Sequence, residues 1–212
     1  YLEKTGLKRT DVIRDYDHPI GTNGTISILE GNLAPEGAVI KHSACPEEMM
    51  KANGVDIAGK NVVISGFGNV AWGAAWKLQQ LGANCIAFSG PDGYIYDPDG
   101  INTDEKVAYF LELRSSGKNI CAPYAEKFPN AKFIAGKKPW NVAEDFGVKV
   151  DLFIPCAMQN DVRMEDAENI VKSGAKFYCE GANMPTTNDA LVYLMEKMTA
   201  VGPAKAANAG GV

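Results

Sequence analysis

Residues 59–97 run Gly59-Lys-Asn-Val-Val-Ile-Ser-Gly-Phe-Gly-Asn-Val-Ala71, then through Gly82 and Cys85-Ile-Ala-Phe88 to Ile95-Tyr96-Asp97. Asn61 to Ser65 has the unbroken apolar character of a strand buried on both faces. Gly66-Phe67-Gly68 is a tight glycine turn, and Asn69 to Leu81 is a helix of small residues. A second apolar strand follows at Cys85 to Phe88. Strand, Gly-x-Gly-x-x-Ala turn, helix, strand is the unit that receives a dinucleotide pyrophosphate at a helix N-terminus. Gly66 permits the turn, Gly68 lets backbone approach phosphate without an intervening Cβ, and Ala71 keeps the helix close to the sheet. A plain βαβ crossover with a glycine turn is the alternative. The two flanking apolar strands at this spacing favour the dinucleotide site.

An acid at the end of the second strand, ~20 residues after the turn, is expected on the adenosine ribose. The strand ends in Ser89-Gly90-Pro91, and the first acid is Asp92, slightly late. A carboxylate there disfavours a 2′-phosphate, and no Arg or Lys lies between Ser89 and Asp97 to receive one. NAD is therefore expected in preference to NADP.

Beyond this unit, strand-like and helical runs keep alternating. A short helix is expected at Pro46 to Ala52, with proline in its first turn and acids near its positive end. Tyr94 to Tyr96 reads as a small strand extension and Asp104 to Ser115 as a helix, with Val107, Phe110, Leu111 and Arg114 at helical spacing. A further helix is expected over Pro123 to Lys127. Strands are expected at 132–134, 150–154, 177–180 and 199–201, with helices at 164–171 and 188–198. Alternation of this kind predicts an α/β fold: a Rossmann-like, doubly wound, mostly parallel sheet covered on both faces. Residues 1–45 differ, being rich in Gly, Thr and turn signals around Thr25–Leu29 and Ala38–Ile40, and predict a β-hairpin-like segment. Two domains are thus expected, 1–45 and 46–212.

Three segments follow apolar strands: Pro155-Cys-Ala-Met-Gln-Asn160, Glu180-Gly-Ala-Asn-Met-Pro-Thr-Thr187 and Ala204-Lys-Ala-Ala-Asn-Ala-Gly-Gly-Val212. In an open α/β sheet, ligands lie beyond the carboxyl ends of the strands, so all three should face the crevice at Gly66–Asn69. Their carboxamides suit neutral hydrogen bonds to ribose and nicotinamide, although a single loop Asn is as readily a turn residue. No general acid–base pair emerges, and no catalytic residue is assigned.

The 212 residues are 46% hydrophobic and 22% charged with a net charge of −5. That charge argues against a general hold on nucleic acid or anionic membrane. No apolar run reaches membrane-spanning length. Five scattered cysteines (Cys45, Cys85, Cys121, Cys156, Cys179) and two histidines (His18, His42) form no metal-ligand spacing, so no metal is expected and reduced thiols in the cytoplasm are. The chain opens on Tyr1, which suggests a piece of a longer protein.

Gly59 to Asp97, Pro139-Trp140, Pro155 to Asn160, Asn183-Met-Pro-Thr-Thr187 and Lys205 to Val212 closely resemble the cofactor domain of bacterial hexameric glutamate dehydrogenases, over about residues 49–212. The resemblance implies oxidative deamination of L-glutamate to 2-oxoglutarate with NAD, in a homohexamer of the full-length protein. By the same resemblance, Phe67, Gly68, Asn69 and Val70 lie at the pyrophosphate, and Pro91 and Asp92 at the adenosine ribose. Ala157, Asn183 and Asn208 line the nicotinamide side, and Gly211 and Val212 touch the glutamate side chain. Met158 stands where the family usually has Thr, removing a hydroxyl near the cofactor. The family's catalytic Lys and Asp belong to a substrate domain outside this sequence, so the chain alone is expected to be inactive.

Asp11-Val-Ile-Arg14, His18-Pro-Ile20 and Gly31 to Lys41 instead resemble dihydroxy-acid dehydratases. The chain thus reads as a join of two enzyme pieces near residues 42–52. The alternatives to a glutamate dehydrogenase fragment are a dehydratase-related chain of branched-chain amino acid synthesis, or a nucleotide-binding module without chemistry.

Overall fold

Alternate residues along each central strand part company. Val62 and Ile64 enter one apolar layer while Val63 enters another, and Leu152 and Ile154 separate from Phe153 in the same way. Phe177 and Cys179 likewise separate from Tyr178. A strand's side chains point to opposite faces in turn, so strands apolar at every position need cover on both sides. The structure, a computed structural model, describes residues 45–207. The expected hairpin over 1–45 lies outside the described residues, but for position 45.

In chain order the elements are α1 (Cys45–Ala52), β1 (Asn61–Ile64), α2 (Asn69–Gln80), β2 (Asn84–Gly90), β3 (Gly93–Tyr96) and α3 (Asp104–Ser115). There follow α4 (Pro123–Lys127), β4 (Lys132–Ala135), a 3-10 turn (Pro139–Asn141), α5 (Val142–Phe146), β5 (Leu152–Ile154) and α6 (Met164–Lys172). The last are β6 (Phe177–Cys179), α7 (Asn188–Lys197), β7 (Ala200–Gly202) and α8 (Ala204–Ala207). The strands form one sheet in the order β4-β3-β2-β1-β5-β6-β7. From β2 to β7 every neighbouring pair is parallel, whereas β3 runs antiparallel to both β2 and β4. The sheet is the expected doubly wound, mostly parallel one, with a single reversed strand. That reversal follows from the two-residue link Pro91–Asp92, too short for a parallel crossover.

Met50, Leu78, Phe110 and Tyr124 cover one face, from α1, α2, α3 and α4. Trp140, Val142, Ala167, Ile170, Ala190 and Leu194 cover the other, from the 3-10 turn, α5, α6 and α7. The expected helical stripe of α3 is displaced: Lys106, Val107, Phe110 and Leu113 are its buried residues, while Leu111 is half-buried and Arg114 is not in the core. Lys106 goes inside because it is paired. Its Nζ lies 2.7 Å from Asp97 Oδ2 and donates to Gly100 O at 2.9 Å, and Tyr124 Oη donates to the same carboxylate at 2.9 Å.

Cys85, Cys121, Cys156 and Cys179 are buried, and none of them is in a disulfide. Burial pushes the Cys85, Cys121 and Cys156 thiols well above their ordinary range, which makes them poor nucleophiles. Among the described residues no helix is long and apolar enough to cross a membrane.

Candidate cofactor site

The two turn glycines are glycine for different reasons. Gly66 has φ +79°, and a Cβ there would sit 3.0 Å from the Cα of Ala157. Backbone conformation and the closeness of the loop after β5 both demand it. Gly68 has φ −75°, which any residue adopts, and a Cβ there would meet nothing within 4 Å. The space a side chain would fill is open cleft directly before the first turn of α2. Gly68 is the N-cap of that helix, no side chain caps it, and no acid stands in its first turn. The positive end of a 12-residue helix is left for an anion. Ala71, with no exposed surface, lets α2 lie against the sheet as expected.

Two serines, missed in the sequence, hold this turn. Ser89 Oγ accepts from the Gly66 amide at 2.9 Å. Ser65 Oγ donates to Asp161 Oδ2 at 2.6 Å and accepts from the Cys156 amide at 3.1 Å. Both close a strand beside the glycine turn, which is the one signal that could have found them. Asp161 was missed as well. Burial raises its pKa, and the Ser65 hydrogen bond and nearby Lys138 only partly offset this.

A cleft of about 520 Å³ opens over the turn. Gly66, Phe67, Gly68, Ser89, Gly90 and Pro91 line one side, and Ala157, Met158, Asn160, Asp161 and Arg163 the other, with Gly93, Asn119, Gly136, Lys137 and Lys138 completing it. A larger hollow, about 620 Å³ between the 3-10 turn and the end of α6, contains none of the expected site residues.

Of those expected residues, Phe67, Gly68, Pro91, Ala157 and Met158 meet in the cleft together with Gly66. Asn69 opens α2 at its edge. Val70 packs half-buried against the core instead of lining the cleft. Asp92 turns its carboxylate to the backbone: it accepts from the Cys121 amide at 2.9 and 3.0 Å and from the Ala122 amide at 3.0 Å. It thereby fixes the loop that brings Asn119, at φ 52°, to the rim.

Asn183 is exposed and does not line the cleft, but its loop is tied to the rim. Asn160 N donates to Met184 O at 3.0 Å, Val162 N to Pro185 O at 2.9 Å and Thr187 N to Val162 O at 3.0 Å. Asn208, Gly211 and Val212 lie outside the described residues.

The cations of the cleft come from far along the chain, beyond the window between Ser89 and Asp97 that held none. Lys137 Nζ lies 2.6 Å from Asp145 Oδ1, and Lys138 Nζ lies 2.8 Å from Asp166 Oδ2 and donates to Asp161 O at 2.6 Å. Arg163, the third cation of the cleft, donates its backbone amide to Asp166 Oδ2 at 2.9 Å. No group of three or more metal-ligating side chains converges among those residues.

Residues 40–212 match the family described as Glutamate/Leucine/Phenylalanine/Valine dehydrogenase. The chain belongs to that family. It is 54% identical over 167 residues to the NAD-specific glutamate dehydrogenase of Clostridium symbiosum, which covers 78% of this chain and 36% of that relative. It is 49% identical over 180 residues to that of Porphyromonas gingivalis, covering 85% of this chain and 39% of the relative. Among solved structures, a glutamate dehydrogenase superposes with a TM-score of 0.73 at 52% identity, over 80% of this chain and 36% of that one. The chain thus spans little more than a third of the length of these dehydrogenases.

Proposed function

We propose that this chain is the cofactor-binding part of a glutamate dehydrogenase and that it binds NAD(H) in preference to NADP(H). One observation carries the reading: Gly68 is glycine with neither a strained φ nor a neighbour to avoid, so what it leaves room for is a ligand. The uncapped amide end of α2 faces that room and suits a pyrophosphate. Phe67 would lie at the pyrophosphate and Pro91 at the adenosine ribose, with Ala157, Met158, Asn183 and Asn208 on the nicotinamide side. Bound NAD would supply the hydride acceptor for oxidative deamination of L-glutamate to 2-oxoglutarate. The chain's own residues bind, orient and shield.

In the longer protein, Gly211 and Val212 would meet the substrate side chain, and a cytoplasmic homohexamer is the expected assembly. That the relatives are NAD-specific glutamate dehydrogenases, at 49–54% identity, supports the dehydrogenase and NAD readings.

Titration of NAD(H) and NADP(H) against the fluorescence of Trp72 and Trp76 is the direct test. Equal or tighter NADP(H) binding would overturn the preference. The 212-residue chain should form no 2-oxoglutarate from glutamate and NAD, whereas a longer protein carrying a substrate domain should.

We propose further that residues 1–45 are a separate, dehydratase-like segment joined near 42–52. Trypsin should release His42-Ser-Ala-Cys-Pro-Glu-Glu-Met-Met-Lys51 from the natural protein. Peptides from both sides without this one would refute the join.

A further inference from the structure

The Pro91 end of the cleft holds a cation under restraint. Gly136 N donates to Asp92 O at 2.9 Å, which sets Lys137 beside the β2–β3 turn, and Lys137 lines the same cleft as Gly90 and Pro91. Its side chain is 53% exposed, long and flexible, and its Nζ lies 2.6 Å from Asp145 Oδ1. Asp145 is the firmer partner, with an 18% exposed side chain whose other oxygen accepts from Tyr94 Oη at 2.7 Å. Tyr94 is wholly buried in β3, so the carboxylate is anchored to the sheet itself.

We propose that Asp145 sets cofactor choice by holding Lys137 away from the place where a 2′-phosphate would lie. Resting on the dinucleotide reading above, this deepens it by naming the residue pair that discriminates between the cofactors. A phosphate monoester on the ribose is recognised by a lysine or arginine free to donate to it. To recruit Lys137, a 2′-phosphate would have to strip Asp145 of its cation and leave an anchored carboxylate unpaired close to a new anion. NAD, which carries only a hydroxyl there, asks for no such exchange. Asp145 thus acts through Lys137, as a positioning residue.

Asp145→Asn is the discriminating change. The Asn carbonyl oxygen can keep the hydrogen bond from Tyr94, which leaves its NH2 toward Lys137, where two donors repel and the lysine is released. NADP(H) affinity should rise about tenfold, the scale of one charge-assisted hydrogen bond, with NAD(H) affinity nearly unchanged. Adding Lys137→Met should abolish that gain. Lys137→Met alone, at an exposed position that tolerates substitution, bares the Asp145 carboxylate and should weaken NADP(H) several-fold more than NAD(H).

The readout is the ratio of the two affinities in the fluorescence titration, which a merely structural loss would leave alone by weakening both cofactors together. An unchanged ratio in Asp145→Asn, a gain that survives the double substitution, or equal weakening in Lys137→Met would each overturn the proposal. If wild type binds NAD(H) while the ratio stays fixed, only the Asp145 inference falls. If wild type binds neither cofactor, the dinucleotide reading falls and takes this inference with it.

Discussion

At the Gly68 end of the cleft the wall is backbone, whereas at the Pro91 end it is charged side chains. The first end is built within a few residues: a strand stops, two glycines turn the chain, and α2 presents its amides. Ala157, Ser89 and the Cys156 and Asp161 partners of Ser65 come from farther away. The second end is assembled across the chain, with Asp92 held by Cys121 and Ala122, and Lys137 held by Asp145, itself fixed by Tyr94. A backbone wall makes an anion site whose strength depends on shape. A wall of paired charges makes one whose selectivity depends on which partner each charge keeps.

The sharpest way to break this comparison uses the two glycines. Gly66→Val puts a β-branched residue at φ +79° and a Cβ against Ala157, so it should destabilise the fold by about 3 kcal/mol in urea unfolding. A loss under about 1 kcal/mol would mean that the turn can relax away from the β5 loop.

Gly68→Val should do the opposite. Its folding cost should stay within about 1 kcal/mol, an N-cap preference, while affinity for both cofactors falls at least about tenfold. Unchanged affinity would remove the pyrophosphate from this turn altogether.

At the other end, Asp92→Asn sharpens the contrast. Both carboxylate oxygens accept from backbone amides, so the NH2 of Asn must face a donor, at a cost of about 1 kcal/mol. Hydrogen exchange at Cys121 and Ala122 should quicken. Unaltered exchange there would separate the carboxylate from the loop.

The smallest effect belongs to Asp161, between the two ends. Its folded pKa is raised, chiefly by burial, so the fold favours the protonated acid. Its contribution is therefore fully present below the unfolded value near ~3.9 and is lost as pH rises through the folded one. Asp161→Asn should match wild type in acid and be modestly more stable at neutral pH. Equal stability at both pH values would deny the carboxylate any burial cost.

The same contrast explains how much could be read without coordinates. Helices α3 and α4, and the starts of α2, α6 and α7, are legible because caps, prolines and apolar spacing are local signals. The glycine turn and its meeting with Ala157 are legible because loops after parallel strands share one edge of the sheet. Lys137 and Asp145 are not, because a charge pair leaves no periodic mark. α5 hides in Val142–Phe146, five residues with too few apolar positions to show a period. Lys106 inside α3 is illegible for a related reason: its burial depends on Asp97 and Tyr124, neither within its helix.

The backbone ladder tying residues 160–162 to residues 184–187 has a chemical consequence. It brings together two loops whose thioethers are 67% exposed at Met158 and 61% exposed at Met184, while Met50 in the core shows no surface. Peroxide reaches exposed sulfur first, and a sulfoxide is polar and chiral where the thioether was apolar and pliant. Under oxidative stress the protein would therefore take up oxygen at this rim, and at Met195 on α7, which is 64% exposed, while the sheet beneath stayed intact. Restoring that rim would fall to a methionine sulfoxide reductase, with no unfolding needed to reach either residue.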